Sequence, residues 1–138
     1  YAQVDGTSRS QGLELAVSAP LNDRIDVFGN YTYTDTEDAN GDQFLRVAEN
    51  EVLLGLSALV TDRITADVAL NFVGDRLDGF PAAGVKDYTV IDASLSYALN
   101  DQSAVYLRIE NLTDEEYQTA AGFGTSDRAF FVGLRAAF

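Results

Sequence analysis

Seven segments of this chain carry apolar side chains at every second position, and the connections between them alternate between a few polar residues and a long polar stretch. A period of two is the signature of a β-strand with one dry face. Leu13, Leu15, Val17 and Ala19 begin the series, and after the turn at Pro20–Asp23 it resumes with Ile25, Val27, Gly29, Tyr31 and Tyr33. An acidic loop opens at Asp35. Val52 to Val60 and Ile64 to Phe72 flank a tight turn at Thr61–Arg63, and a long loop then runs from Gly74 to Lys86. Ile91 to Leu99 and Val105 to Ile109 flank the turn Asn100–Gln102. A third loop, Asn111 to Asp127, leads to the closing row Phe130, Val132, Leu134, Ala136 and Phe138. No segment requires a helix.

Short and long connections alternate without exception, so all short turns lie at one end of an up-and-down sheet and all long loops at the other. Transmembrane barrels of bacterial outer membranes have that asymmetry, with short periplasmic turns and longer extracellular loops, whereas sandwiches mix the two. Asp26, Asp67, Asp92, Arg108 and Glu110 fall in mid-strand opposite the apolar rows. A wet lumen accommodates them, while a small soluble barrel would bury each at a cost of several kcal/mol. Tyr31, Tyr33 and Phe72 lie towards the long-loop end and Tyr97 and Phe138 towards the short-turn end, where interfacial girdles are expected. The fold class expected is therefore all-β, with antiparallel up-and-down transmembrane β-barrel strands.

Composition removes most other functions. Nine basic against 22 acidic residues leave a net charge of −13, which is unsuited to a phosphate backbone, so no nucleic acid is expected as a partner. There is no Cys and no His, which excludes thiolate sites, disulfides and the commonest general base. No catalytic residue and no cofactor is assigned, and the chain is not expected to be an enzyme. No run approaches the roughly 20 apolar residues of a spanning helix, yet a mean hydropathy of −0.06 suits strands that hide their apolar side chains in alternate positions. The chain lacks an initiator Met and a signal peptide, so a mature fragment of an exported protein is expected.

Several motifs resemble the C-terminal part of the TonB-dependent outer-membrane receptors. Arg9-Ser10-Gln11-Gly12-Leu13-Glu14-Leu15 is similar to the family's Arg-x-x-Gly-x-Glu-Leu strand, and Tyr31-Thr32-Tyr33-Thr34-Asp35 to its aromatic-Thr strand end. Asn111-Leu112-Thr113-Asp114-Glu115-Glu116-Tyr117 resembles the Asn-Leu-x-Asp-x-x-Tyr after the penultimate strand, and Arg128 with Phe131-Val132-Gly133-Leu134 extends the likeness. Ser126-Asp127 departs from the family's Pro-Gly, and Ala48 stands where Pro is frequent. The resemblance implies a barrel of about 22 strands closed around an N-terminal plug, with residues 1–138 supplying its C-terminal portion and neither the plug nor the segment that meets TonB. It also implies uptake of a scarce nutrient complex, a cobalamin or a ferric siderophore. Implied partners are the remaining strands and plug, TonB through that plug, lipid and lipopolysaccharide, and the barrel-assembly machinery. Phe138 would mark the periplasmic rim and Tyr1 the outer side. A self-contained small barrel, acting as a structural or binding module, is the rival, and it requires the last strand to pair with the first.

Within the loops, Asp75, Arg76, Asp78 and Phe80, together with Tyr117, Gln118, Phe123 and Arg128, are the ligand-contact candidates, because long loops on a rigid scaffold carry recognition. The acidic loop offers Asp38, Asn40 and Asp42 as oxygen ligands. An EF-hand register with Gly41 at its sixth position puts Thr36 first and Val47 last, so no metal site is expected. Gly133 and Phe138 resemble the terminal signal read by the assembly machinery.

Overall fold

The structure is a computed structural model that describes residues 6–79 and 81–137. Tyr1, Phe80 and Phe138 lie outside the described residues. The described part is all-β. Seven strands, β1 (Arg9–Asn22), β2 (Ile25–Glu37), β3 (Asn50–Thr61), β4 (Ile64–Val73), β7 (Tyr88–Asn100), β8 (Ser103–Glu110) and β11 (Ala129–Ala136), form one antiparallel sheet in the order β1-β2-β3-β4-β7-β8-β11. Two small hairpins stand in the loops: β5 (Arg76–Asp78) with β6 (Ala83–Val85), and β9 (Gln118–Ala120) with β10 (Phe123–Gly124). Neither was expected from the sequence, since three residues are too few to display alternation. Among the described residues β1 and β11 do not pair with each other, so the closed small barrel is overturned.

The register separates two chemistries. One row crosses all seven strands as Ala19, Val27, Leu56, Val68, Ala93, Ile109 and Phe130. One residue along, on the opposite face, the row is Pro20, Asp26, Ser57, Asp67, Ser94, Arg108 and Phe131. Nothing among the described residues packs over the first face. Val17, Val132 and Leu134 are 66%, 77% and 66% exposed, and the buried hydrophobic residues are Ala48 and Val85, both in the loops. The apolar face of this sheet has no second layer among the described residues.

Strand ends differ from the expectation at two places. Pro20 to Asn22 continue β1, and the turn is Asp23-Arg24. Proline is tolerated because Pro20 adjoins a β-bulge between Pro20 and Asn22. Asp35, Thr36 and Glu37 continue β2 beyond the girdle tyrosines rather than opening the loop, and there the buried Thr36 hydroxyl accepts the Phe44 N–H at 3.1 Å. Polar residues mark where a strand leaves the apolar layer, not where it ends.

The three short turns are copies of one device. Asn22, Thr61 and Asn100 recur at a spacing of 39, since 61 − 22 = 39 and 100 − 61 = 39. Each side chain accepts the N–H two residues on, of Arg24 at 2.8 Å, Arg63 at 3.3 Å and Gln102 at 2.9 Å. Such Asx-type and Ser/Thr-type turns fix the chain reversal locally. Each has a bulge on its first strand, at Pro20/Asn22, Leu59/Thr61 and Ala98/Asn100. The carbonyls of Arg24, Arg63 and Gln102 accept the N–H groups of Leu59, Ala98 and Ala137, again at a spacing of 39.

Candidate functional site at the long-loop end

At the opposite end, the loops between β2 and β3, β4 and β7, and β8 and β11 are tied together. Asp78 is 2% exposed and stands at the centre. Its Oδ1 accepts Arg46 Nε at 2.6 Å and the Gly79 N–H at 2.7 Å, and its Oδ2 accepts the Ala121 N–H at 2.8 Å. One carboxylate thus joins all three loops. The Arg46 side chain, then the Ala121 amide, hold its pKa down to about 2, because each stabilises the ionised form. Arg46 itself adopts φ 66 and donates its N–H to the Leu77 carbonyl at 2.6 Å.

Arg76 makes the second tie. Buried to 6% exposure, it donates from Nη2 to the Gln118 carbonyl at 2.6 Å and lies 5.4 Å from the Tyr88 ring centroid. Tyr88 in turn meets Tyr117 at 4.4 Å between centroids. Arg76 Nη1 is buried without a hydrogen-bond partner among the described residues. Beside these groups an open groove of about 450 Å³ is lined by Gln43, Glu49, Asp75, Arg76 and Lys86 among others.

The Asn-Leu-x-Asp motif is an architectural knot. Asn111 is 4% exposed at φ 52, accepts the Glu115 N–H at 2.8 Å and donates Nδ2 to the Glu115 carbonyl at 2.9 Å. Its own N–H reaches Asp92 Oδ1 at 2.9 Å, and the Leu112 N–H reaches the Ile91 carbonyl at 2.6 Å. Asp114, at φ 59, accepts the Arg128 N–H at 2.8 Å. Asn and Asp tolerate this left-handed region better than other side-chain-bearing residues, which explains the residue types.

The ligand-contact candidates therefore separate. Arg76, Tyr117 and Asp78 come together in the loop cluster. Asp75 is exposed and uses Oδ1 to accept the Asp87 N–H at 2.9 Å. Gln118 supplies its carbonyl to Arg76 and its Oε1 to the Gly122 N–H at 3.0 Å. Phe123 is 72% exposed and pairs with Ala120 in the β9–β10 hairpin, beside the Ala121 amide that Asp78 holds. Arg128 is occupied by Asp114 and the Leu112 carbonyl and approaches the Phe130 ring at 5.9 Å. Phe80 and Phe138 lie outside the described residues. Asp38 spends its Oδ1 on the Asn40 and Asp42 amides at 2.7 and 2.9 Å, and those amides, Asp42 foremost, lower its pKa. Asn40 Nδ2 donates to Asp38 Oδ2. Among the described residues no group of three acidic side chains is placed to hold a metal ion. Arg46 and Tyr88 escape a sequence reading, since one is a lone arginine in a polar loop and the other opens an ordinary strand.

On the lumen side of the sheet, Ser57 and Ser94 both donate to Asp67, at 2.7 and 2.8 Å. Arg108 pairs with Glu110 at 3.1 Å and lies 4.7 Å from the Phe131 ring centroid. These groups are polar, partly exposed and mutually satisfied, which suits a wet wall.

Comparison with known proteins agrees with this geometry. Residues 1–112 match the family described as TonB dependent receptor-like, beta-barrel. The vitamin B12 transporter BtuB of Vibrio cholerae is 30% identical over 97% of this chain and 23% of its own length. The iron-regulated outer membrane virulence protein of the same species is 28% identical over 95% of this chain and 22% of its own. The siderophore receptor PiuA from Acinetobacter baumannii superposes with a TM-score of 0.86 at 21% identity, covering 95% of this chain and 22% of that one, and so supports the fold. The chain spans about a fifth of the length of these relatives. With its open seven-stranded sheet and its three knotted loops, the chain belongs to the β-barrel family of TonB-dependent receptors of the bacterial outer membrane.

Proposed function

We propose that these residues form the C-terminal portion of a TonB-dependent uptake receptor for a scarce nutrient complex, a cobalamin or a ferric siderophore. The observation that carries this reading is the Asp78 knot. It ties the three long loops to one another through a single carboxylate. Arg76, Tyr88 and Tyr117 give that cluster a cation and two aromatic faces, which suit a large, flat or anionic complex held by a few well-placed groups. The free edges of β1 and β11 pair with further strands of the same barrel, since a strand edge in lipid leaves unsatisfied backbone groups. The Asp67 and Arg108 rows face the plug, through which TonB acts. Lipid and lipopolysaccharide contact the apolar face, and the assembly machinery reads the terminal strand through Gly133 and Phe138. No covalent chemistry is assigned to the chain.

The test is uptake by the full-length receptor in cells deleted for their own receptors. Radiolabelled cyanocobalamin and a radiolabelled ferric catecholate are supplied separately. One of the two should enter, and deletion of TonB should abolish that entry. Entry of neither, or entry indifferent to TonB, overturns the reading.

A further inference from the structure

The 39-residue spacing of the turns extends to the lumen face. Phe28, Asp67 and Tyr106 are 39 apart, as 67 − 28 = 39 and 106 − 67 = 39, and Gly55, Ser94 and Gly133 follow the same spacing. In the sheet these residues face each other directly as Phe28 with Gly55, Asp67 with Ser94, and Tyr106 with Gly133. Each pair therefore joins the two strands of a hairpin that is connected by a long loop. Two pairs are rings seated on glycine. A Cβ on Gly55 would lie 2.0 Å from Phe28 Cζ, and one on Gly133 would lie 2.4 Å from both Cζ and Oη of Tyr106. Gly55 is the single buried residue of β3 although both its neighbours are exposed. The third pair is the 2.8 Å hydrogen bond from Ser94 to Asp67.

We infer that the two ring-on-glycine pairs, Phe28 with Gly55 and Tyr106 with Gly133, are register locks, whereas Asp67 would meet a second serine hydroxyl, that of Ser96, in one of the two-residue slips. The short turns set their own register through the bulge and the side-chain cap, but a long loop leaves the register of the strands it joins open. The apolar alternation excludes a slip of one residue, because that would turn every side chain to the wrong face. It does not exclude a slip of two, which keeps both faces intact. A ring needs a residue without Cβ opposite it, and in a two-residue slip Tyr106 would face Phe131 or Arg135 instead of Gly133. The lock rejects the slip that hydrophobic patterning tolerates. On this reading Gly133 is needed because Tyr106 occupies its side-chain space, which is distinct from its being read by the assembly machinery.

The test uses the full-length receptor. The folded fraction in outer membranes is read from the faster gel migration of the unheated barrel for wild type, Gly133→Ala, Tyr106→Ala and the double variant. Gly133→Ala should lower the folded fraction several-fold in the wild-type background and change nothing further in the Tyr106→Ala background, because the clash has gone. Gly55→Ala should behave the same way towards Phe28→Ala, far from the terminal strand. If Gly133→Ala is harmless with Tyr106 present, or equally harmful without it, the lock is wrong. Register is read independently by cysteine pairs in a receptor otherwise free of cysteine: Leu107→Cys with Val132→Cys for the native register, and Leu107→Cys with Phe130→Cys or Leu134→Cys for the slips. Removing the Tyr106 ring should let a slipped pair crosslink. Native crosslinks alone in every lock variant overturn the inference.

Discussion

The two ends of the sheet solve the same problem, reversing a strand, by opposite means. At the short-turn end each reversal is closed by its own residues: Asn22, Thr61 or Asn100 caps the turn two residues on, and a bulge sets the twist. At the long-loop end the ties within each loop, such as Asp75 to the Asp87 amide and Asp114 to the Arg128 amide, are joined by one that no single loop contains. Asp78 in the second loop needs Arg46 from the first and Ala121 from the third. Local closure is robust and uninformative to a ligand, whereas mutual closure couples three loops and makes the cluster a natural place for recognition.

Breaking the centre of the loop cluster should have the widest effect. Asp78→Ala leaves the Arg46 guanidinium and the Gly79 and Ala121 amides without their acceptor, and amide exchange should accelerate in all three loops of the full-length receptor at once. Faster exchange confined to residues 74–87 would refute the coupling. The same tie makes a pH prediction. Because the pKa of Asp78 is lowered from 3.8 to about 2, its contribution is fully present above pH 4 and is lost as pH falls towards 2. Loop protection should therefore survive at pH 5 and disappear near pH 2, and Asp78→Asn should remove that dependence.

Asn111→Ala comes next. It deletes two hydrogen bonds to Glu115 from a buried left-handed position and should cost about 2 kcal/mol, measured by denaturant titration of the refolded receptor. Thr61→Ala at the other end removes the acceptor for two N–H groups of one exposed turn, and about 1 kcal/mol is expected. Its exchange signature should stay within residues 59–65, and any spread to neighbouring turns would erase the contrast between the ends. Asp38→Asn should have the smallest effect, visible only as faster exchange of the Asn40 and Asp42 amides.

Much of the sheet is legible in the chain. Alternation at Val52 to Val60 and Ile64 to Phe72 locates β3 and β4 to within a residue or two, because the dry face repeats every second position. The ends of β1 and β2 are less legible, since Pro20 and Asp35 carry turn and loop chemistry yet remain paired. The candidate site is legible as a place, not as a contact map. Arg76 and Asp78 stand in the right loop by composition, but Arg46 lies 32 residues from the carboxylate it binds, and no local pattern announces such a partner. The 39-residue repeat was readable in principle from Asn22-Asp23-Arg24, Thr61-Asp62-Arg63 and Asn100-Asp101-Gln102, and its meaning became plain only when the paired positions were seen to coincide.

By itself the amino-acid sequence determined the seven strands of the main sheet, their faces, the alternation of short and long connections and the family, because all of these depend on neighbours along the chain. The tertiary structure decided which loops bind one another, that β1 and β11 remain apart among the described residues, and which ring sits on which glycine. Those depend on groups tens of residues apart, whose approach is set by strand register.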